Sequence, residues 1–432
     1  MAAVDLLEKR SSFYSDRQHL VVVHDFVGGD RAFAFLGYGD DWREHRRIFH
    51  QHYHGQVVEN YHPRMAKEAR KLTIRLLTTH DFMQSLRVFA GAIILGITFG
   101  MEIQDHNNLY VLLAEKAINR LLVAATPGSY MVDSIPLMRY IPSWAPGGQF
   151  KHEAADLNEH LTLMFEQPIE FVKKALLQGI AEPCVAATLL GNMDDKEDLE
   201  KSKRERVIQN VTGVAYLGGA DSTASALGTF ILAMVMNPAV QSTAQEQIDR
   251  VVGSACLPDF TYRDSLPYVA AIMYEVLRWR PVAPLGIAHR VMVDDEYNGY
   301  HIPAGAAVVS NAWAILHDPA RFPSPDTFDP TRWLTPDGQL SKTTLDATNM
   351  AVFGFGRRIC PGNDFAMASI WIAMVHILAI YNIEKPVDDA GKVVEPSGEY
   401  TSGFVVHPVP FGAVFKPRSE AGRSLIESLI DD

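Results

Sequence analysis

Between about Val207 and Met236 the chain carries a proline-free helical pattern whose second half is almost entirely apolar, so this helix must be wrapped by other elements. Its centre departs from that pattern. Gly218, Gly219 and Asp221 stand there, and an aspartate is seldom fully buried unless it is paired, so Asp221 either meets a neighbouring cation or faces water. Each glycine weakens a helix interior by roughly 1 kcal/mol relative to alanine. Something therefore approaches the backbone closely at this point, and a flat cofactor fits.

The rest of the chain has the makings of a large core around that helix. Of 432 residues, 47% are hydrophobic and 21% charged, and no linker, composition break or internal repeat divides them, which predicts a single domain over 1–432. Apolar residues recur three and four apart through Trp42–His54, Pro63–Thr78, Leu109–Ala124, His152–Leu177 and Asn237–Val252, each predicting a helix. Strand-like segments come late, at Ala288–Val293, Ala306–Asn311 and Gly403–Phe415, the last interrupted by Pro408 and Pro410. The expected class is mainly α with small β-sheets.

Charge and cysteine usage narrow the function. A net charge of −12 excludes general nucleic-acid binding, which needs a positive surface to neutralise phosphate. Three scattered cysteines, Cys184, Cys256 and Cys360, do not form a disulfide framework and point to a reducing compartment. The first ten residues mix Asp5, Glu8 and Lys9 among apolar ones and do not read as a signal peptide. The longest apolar stretches, Val88–Met101 and Ala366–Tyr381, fall short of the ~20 residues that a bilayer demands and read as core helices.

The residues from Phe353 to Gly362 (Phe-Gly-Phe-Gly-Arg-Arg-Ile-Cys-Pro-Gly) precede an apolar helix, which puts Cys360 close to a helix N-terminus. Helix amides and the nearby Arg358 favour the thiolate, the form that binds a metal. Gly356 and Gly362 leave room for a planar ligand against the loop. A Cys-Pro-Gly alone is more often an ordinary buried cysteine in a turn. The full spacing, with Phe353, Gly356, Arg358, Cys360 and Gly362 in register, resembles the haem-binding signature of the cytochromes P450.

Further matches follow in that family's order and cover most of the chain from about residue 40. Glu275-Val276-Leu277-Arg278 resembles the Glu-x-x-Arg helix, and Phe328-Asp329-Pro330-Thr331-Arg332-Trp333 resembles the segment whose arginine joins that pair, so the resemblance implies a structural triad of Glu275, Arg278 and Arg332. Gly218 to Thr223 resembles the oxygen-activation motif. It assigns Asp221 to proton relay and a hydroxyl, Ser222 or Thr223, to hydrogen bonding with dioxygen; the family's usual threonine after the acid is Ser222 here. Trp42 and Arg46 resemble a propionate-binding pair, with His289 and Arg358 as further propionate ligands.

The resemblance therefore implies the P450 fold, haem b held by Cys360, and a monooxygenase of secondary metabolism acting on a small hydrophobic substrate with O2. Electrons would come from an NADPH-dependent flavoprotein reductase drawn to Arg43, Arg46, Arg47 and Arg357, with the protein a monomer. Substrate contacts are expected from the loop before Trp42, near Ala215 and Gly218, at Val282–Leu285 and around Phe404, with functional segments at 1–41 (substrate loop), 207–236, 266–334 and 353–384. Microsomal members carry an anchor, a first helix and strands ahead of the segment that resembles Trp42–Arg46, and by that resemblance the chain is expected to lack them. Location on the cytosolic face of the endoplasmic reticulum becomes peripheral or cytoplasmic, and the strands near Ala288 and Ala306 are expected to lose their sheet neighbours. Two alternatives stay open: a haem-thiolate isomerase, dehydratase or peroxygenase that needs no reductase, and a truncated haem protein without catalysis.

Overall fold

A computed structural model of the protein describes all residues except 1, 80, 104–107, 127, 194–197, 254–255, 342–350, 421, 425 and 427–432. The principal helices are α1 (Asp40–Tyr53), α2 (His62–Thr78), α3 (Phe82–Phe99), α4 (Leu109–Ala124), α5 (Phe150–Leu177), α6 (Val185–Gly191), α7 (Asp198–Met236), α8 (Pro238–Val251), α9 (Pro267–Trp279) and α10 (Asn363–Ile380), with short helical turns between them. Local chemistry sets several of their ends. Asp81 caps α3 by accepting from the Gln84 amide at 2.9 Å, and Gly100, at φ +69°, ends it. Prolines open α8 and α9 at their first position, where the missing N–H is not needed.

α7 is the axis, packing against α3 most extensively and against α1, α5, α9 and α10. From Ala224 to Val235 every residue is buried, so the apolar second half is enclosed as its sequence requires. The helix begins nine residues earlier than its apolar pattern, because residues 199–206 are mostly polar and lie near the surface. By length and composition, α3, the Leu199–Met236 part of α7 and α10 are each sufficient to cross a bilayer, contrary to the expectation that the apolar stretches are too short. They are core helices all the same: 72–83% of their apolar windows is buried within the protein.

The β-structure is smaller than predicted and differently connected. β1 (Asp16–Arg17) pairs with β2 (His289–Arg290), and β2 with β5 (Ala307–Val308), all antiparallel. β2 thus keeps neighbours on both sides; the N-terminal segment folds back to supply one, which corrects the expected loss of sheet partners. β3 (Asp295–Tyr297) and β4 (Tyr300–Ile302) form a hairpin whose turn, Asn298-Gly299, takes positive φ at both residues. β6 (Tyr381–Glu384) pairs with β7 (Val414–Pro417). The strand expected over Gly403–Phe415 forms only at its end, since Pro408 and Pro410 cannot donate to a ladder.

A second, smaller core explains what the first residues do. Leu6, Leu7 and Tyr14 pack with Val291, Leu316, Phe322, Trp333 and Phe355. The start of the expected substrate-loop region thus braces the cysteine loop, while Phe33, Ala34 and Phe35 further along it line the internal cavity; at Gly356 the Leu7 carbonyl occupies the place a Cβ would take.

The anticipated triad is assembled at the centre of this brace. Glu275 and Arg278 are fully buried. Arg278 donates to both carboxylate oxygens (2.8 and 2.9 Å), Arg332 donates at 3.3 Å, and the Trp333 indole and the Asp329 amide each donate at 2.9 Å. Removing the carboxylate strands two guanidinium groups, so Glu275→Ala should destabilise the fold by about 3–5 kcal/mol. Equilibrium urea unfolding checks this, and an unchanged midpoint would contradict it.

Candidate active site

Cys360 lies two residues ahead of the Gly362 cap of α10, after a loop that turns through Gly354 (φ +85°) and Gly356 (φ +56°). The Cys360 amide donates to the Phe353 carbonyl at 2.7 Å, closing the loop and placing the sulfur on the wall of a large internal cavity. Part of the residue opens onto that cavity, yet the sulfur is deep in protein. Burial pushes its thiol up, and only the Gly362 amide and the Arg46 charge oppose this. The helping cation is thus Arg46, which donates to the Ile359 carbonyl at 2.7 Å. Arg358 plays no such part, because it turns away to the Ser15 (2.7 Å), Leu36 (2.7 Å) and Phe33 (3.4 Å) carbonyls and lies 4.4 Å above the Trp42 ring. A coordinating metal is what holds such a thiol deprotonated.

Trp42, Arg46, His289 and Arg358 all line the cavity, and the structure adds Arg17. Arg17 and Arg358 are each 7% exposed, and among the described residues neither they nor Arg46 forms an ion pair with a carboxylate. Arg17 donates instead to the Ala34 (3.0 Å), Ile287 (2.8 Å) and Ala288 (3.1 Å) carbonyls. Burial lowers Arg17 well below its usual range, with the Arg358 charge adding to it, and lowers Arg358 to about 10, with the Arg46 charge adding to it; the Asp16 charge opposes both shifts. Buried cations without a direct ion-pair partner are costly. Beside a buried thiol, they fit a planar iron cofactor that carries carboxylates.

His289, expected as a propionate ligand, is buried on the cavity wall. Its Nδ1 donates to the Tyr14 carbonyl at 2.6 Å, and burial with Arg17 nearby pushes it down to about 3. A neutral imidazole whose Nδ1–H is engaged offers an acceptor at Nε2, so the charge at this position comes from Arg17, its partner across the β1–β2 pairing. Arg17 left no sequence signal of its own. It is reached only by chain reversal over 272 residues.

α7 forms the opposite wall with Ala215, Gly218, Asp221, Ser222 and Thr223. Both Gly218 and Gly219 line the cavity; a Cβ at Gly218 would meet nothing, whereas one at Gly219 would reach Ile94 at 3.0 Å, so the second glycine also seats α3. The Ser222 hydroxyl donates to the Gly218 carbonyl at 2.6 Å; Thr223 is 3% exposed. Asp221 has a partner that the sequence did not suggest, the His407 Nε2 at 3.1 Å.

Apolar side chains complete the walls: Phe33, Phe35, Ile94, Ile118, Leu121, Val282, Ile287, Phe404 and Val405. Of the expected Val282–Leu285 contact, Val282 and Ala283 face the cavity, while Leu285 is 54% exposed. The anticipated cationic patch loses Arg46, which is committed to the cysteine loop; Arg43 and Arg357 flank the Tyr38 ring at 5.3 Å each, with Arg43 also paired to Asp40.

This arrangement of a helical core, a cysteine loop and a central helix interrupted by an acid corresponds to what comparison finds. Residues 2–415 match the cytochrome P450 family. The chain is 40% identical to a cytochrome P450 monooxygenase of Armillaria gallica over 98% of its own length and 83% of the relative, and 39% identical to the tryptamine 4-monooxygenase of Psilocybe cyanescens over 97% and 82%. A cytochrome P450 monooxygenase of Hericium erinaceus is 39% identical over the whole chain and 81% of the relative. The chain belongs to the cytochrome P450 family and is similar throughout to its haem-thiolate monooxygenases. Membership brings haem b as the cofactor, a redox partner, O2 and an organic substrate.

If the stranded arginines hold the haem carboxylates, Arg17→Ala should speed haem loss to apomyoglobin by roughly tenfold, equivalent to about 1.4 kcal/mol. His289→Ala should change it far less. Equal effects from the two variants would put the charge back on the histidine.

Proposed function

We propose that the protein inserts one oxygen atom from O2 into a small hydrophobic organic molecule, using electrons from an NADPH-dependent flavoprotein reductase. The observation that carries this reading is the placement of the Cys360 thiol and the Asp221–Ser222 pair on the same apolar cavity. Haem ligated through a thiolate supplies O–O bond cleavage, because the sulfur pushes electron density toward the iron. Everything else falls to the chain. Cys360 would ligate, with Arg46 beside it; Trp42, Arg17, Arg46 and Arg358 would hold the carboxylates; Phe353 would close the cysteine loop through its carbonyl.

On the other wall, Asp221 moves protons inward as a general acid. Of the two candidate hydroxyls, Ser222 is the more open to the cavity and Thr223 the more buried. On this reading Ser222, turning its hydroxyl from the Gly218 carbonyl, would be the one to bond dioxygen. The Glu275–Arg278–Arg332 cluster has a structural role. An isomerase or dehydratase has little use for an acid and hydroxyl here, which favours the monooxygenase. The hydrophobic walls support an apolar substrate; the Psilocybe cyanescens relative, by its name, acts on tryptamine.

A main core that draws residues from Val21 to Ile426, with the smaller core beside it, supports a single domain. Arg43, Arg47 and Arg357 remain as surface cations for an acidic reductase. The exposed Met131, Leu137, Tyr140 and Trp144 support peripheral attachment to a membrane, on the cytosolic face of the endoplasmic reticulum; flotation with phospholipid vesicles that survives Leu137→Glu and Trp144→Glu would refute this.

Reconstitution with a flavoprotein reductase, NADPH and 18O2 tests the main reading. Product should carry one labelled atom, and Ser222→Ala should divert more NADPH to peroxide than Thr223→Val does. Product formed without NADPH or without label would overturn it.

A further inference from the structure

Four residues of α7, Asp221, Ser225, Gly228 and Thr229, fall on one face of the helix at spacings of four, seven and eight. All four meet the segment 400–408. The Ser225 hydroxyl donates to the Val406 carbonyl at 2.6 Å, and the Tyr400 hydroxyl bonds Thr229 Oγ1 at 3.1 Å. A Cβ at Gly228 would touch Pro408 at 3.4 Å, so the segment lies close against the helix there. It is also closed on itself and on its neighbour: His407 N–H donates to Thr401 Oγ1 (2.9 Å), Thr401 N–H to the His407 carbonyl (2.8 Å), and Val406 N–H to the Val282 carbonyl (3.0 Å).

This clamp fixes the backbone on both sides of His407 and delivers its imidazole to Asp221, whose side chain is 13% exposed against 16% for His407. The Nε2–Oδ2 contact is the only ion pair or hydrogen bond of the Asp221 carboxylate among the described residues. Oδ1 has none, and Asp221 lines the cavity. We propose that His407 is the positioning residue for Asp221: by tying down Oδ2 it holds the carboxylate in one rotamer and leaves Oδ1 as the oxygen that passes protons into the cavity. This rests on the proton-delivery role given to Asp221 above. His407 does not touch the reacting atoms; it limits where the acid can point.

The test uses holoenzyme reconstituted with reductase, measuring NADPH consumption under air in H2O and in D2O. Asp221→Asn and His407→Phe should each slow consumption by roughly tenfold or more and enlarge the solvent isotope effect. His407→Gln, which can still donate to Oδ2, should recover most of the rate, and the Asp221→Asn/His407→Phe pair should be no slower than Asp221→Asn. Independently of turnover, 15N-histidine NMR of the diamagnetic carbon monoxide form should show a protonated Nε2 for His407, assigned by its loss in His407→Gln, that shifts in Asp221→Asn. A slow Asp221→Asn beside a His407→Phe of unchanged rate and isotope effect would overturn the positioning role while leaving proton delivery intact. An unimpaired Asp221→Asn would overturn both.

Discussion

Five donors converge on one carboxylate. Glu275, itself fully buried, accepts from Arg278 twice and from Arg332, Trp333 and the Asp329 amide. Neither side of that balance can be buried alone, since a charged group without partners costs several kcal/mol. The network therefore forms as a unit, and it fixes α9 against the 323–334 segment. Trp333 then packs in the same cluster as Phe355 of the cysteine loop and Leu6, Leu7 and Tyr14 of the N-terminal segment. The position of Cys360 is inherited from this chain of contacts, some distance from the cavity it serves.

Charge within the cavity follows the opposite logic. Around Glu275 both arginines pair with one carboxylate, whereas among the described residues Arg17, Arg46 and Arg358 have backbone carbonyls as hydrogen-bond partners and form no ion pair. Carbonyl dipoles orient a guanidinium but do not neutralise it. The two buried arginine clusters thus have different purposes: one is complete within the chain, and the other is complementary to an anionic ligand. Set opposite them, Asp221 is a lone acid on an apolar wall, matched by a histidine from a distant segment. The cavity is polarised, with cations near the sulfur loop and an acid on the central helix.

How much of this could be read from the sequence depended on range. The helices are legible because amphipathic periodicity is local: Leu109–Ala124 has the bounds its pattern predicts, and Trp42–His54 shifts by one or two residues. Cys360, the Glu275–Arg278 pair and the Gly218–Thr223 interruption are legible because their members are adjacent in sequence. Arg17 and His407 were not, since each acquires its role through a contact that spans 272 or 186 residues, and neither stands in a local pattern. The strands were overextended for a related reason. Residues 288–293 and 306–311 have strand composition, but short N-terminal and turn partners allow only two-residue ladders.

The claim on which this account turns is that Cys360 holds haem iron as a thiolate in this cavity. The carbon monoxide difference spectrum of the reduced, purified holoprotein tests it most directly. The account predicts the Soret band of thiolate-ligated haem, lost in Cys360→Ser. A band at the position of histidine or neutral thiol ligation, or an unaltered thiolate band in Cys360→Ser, would contradict it.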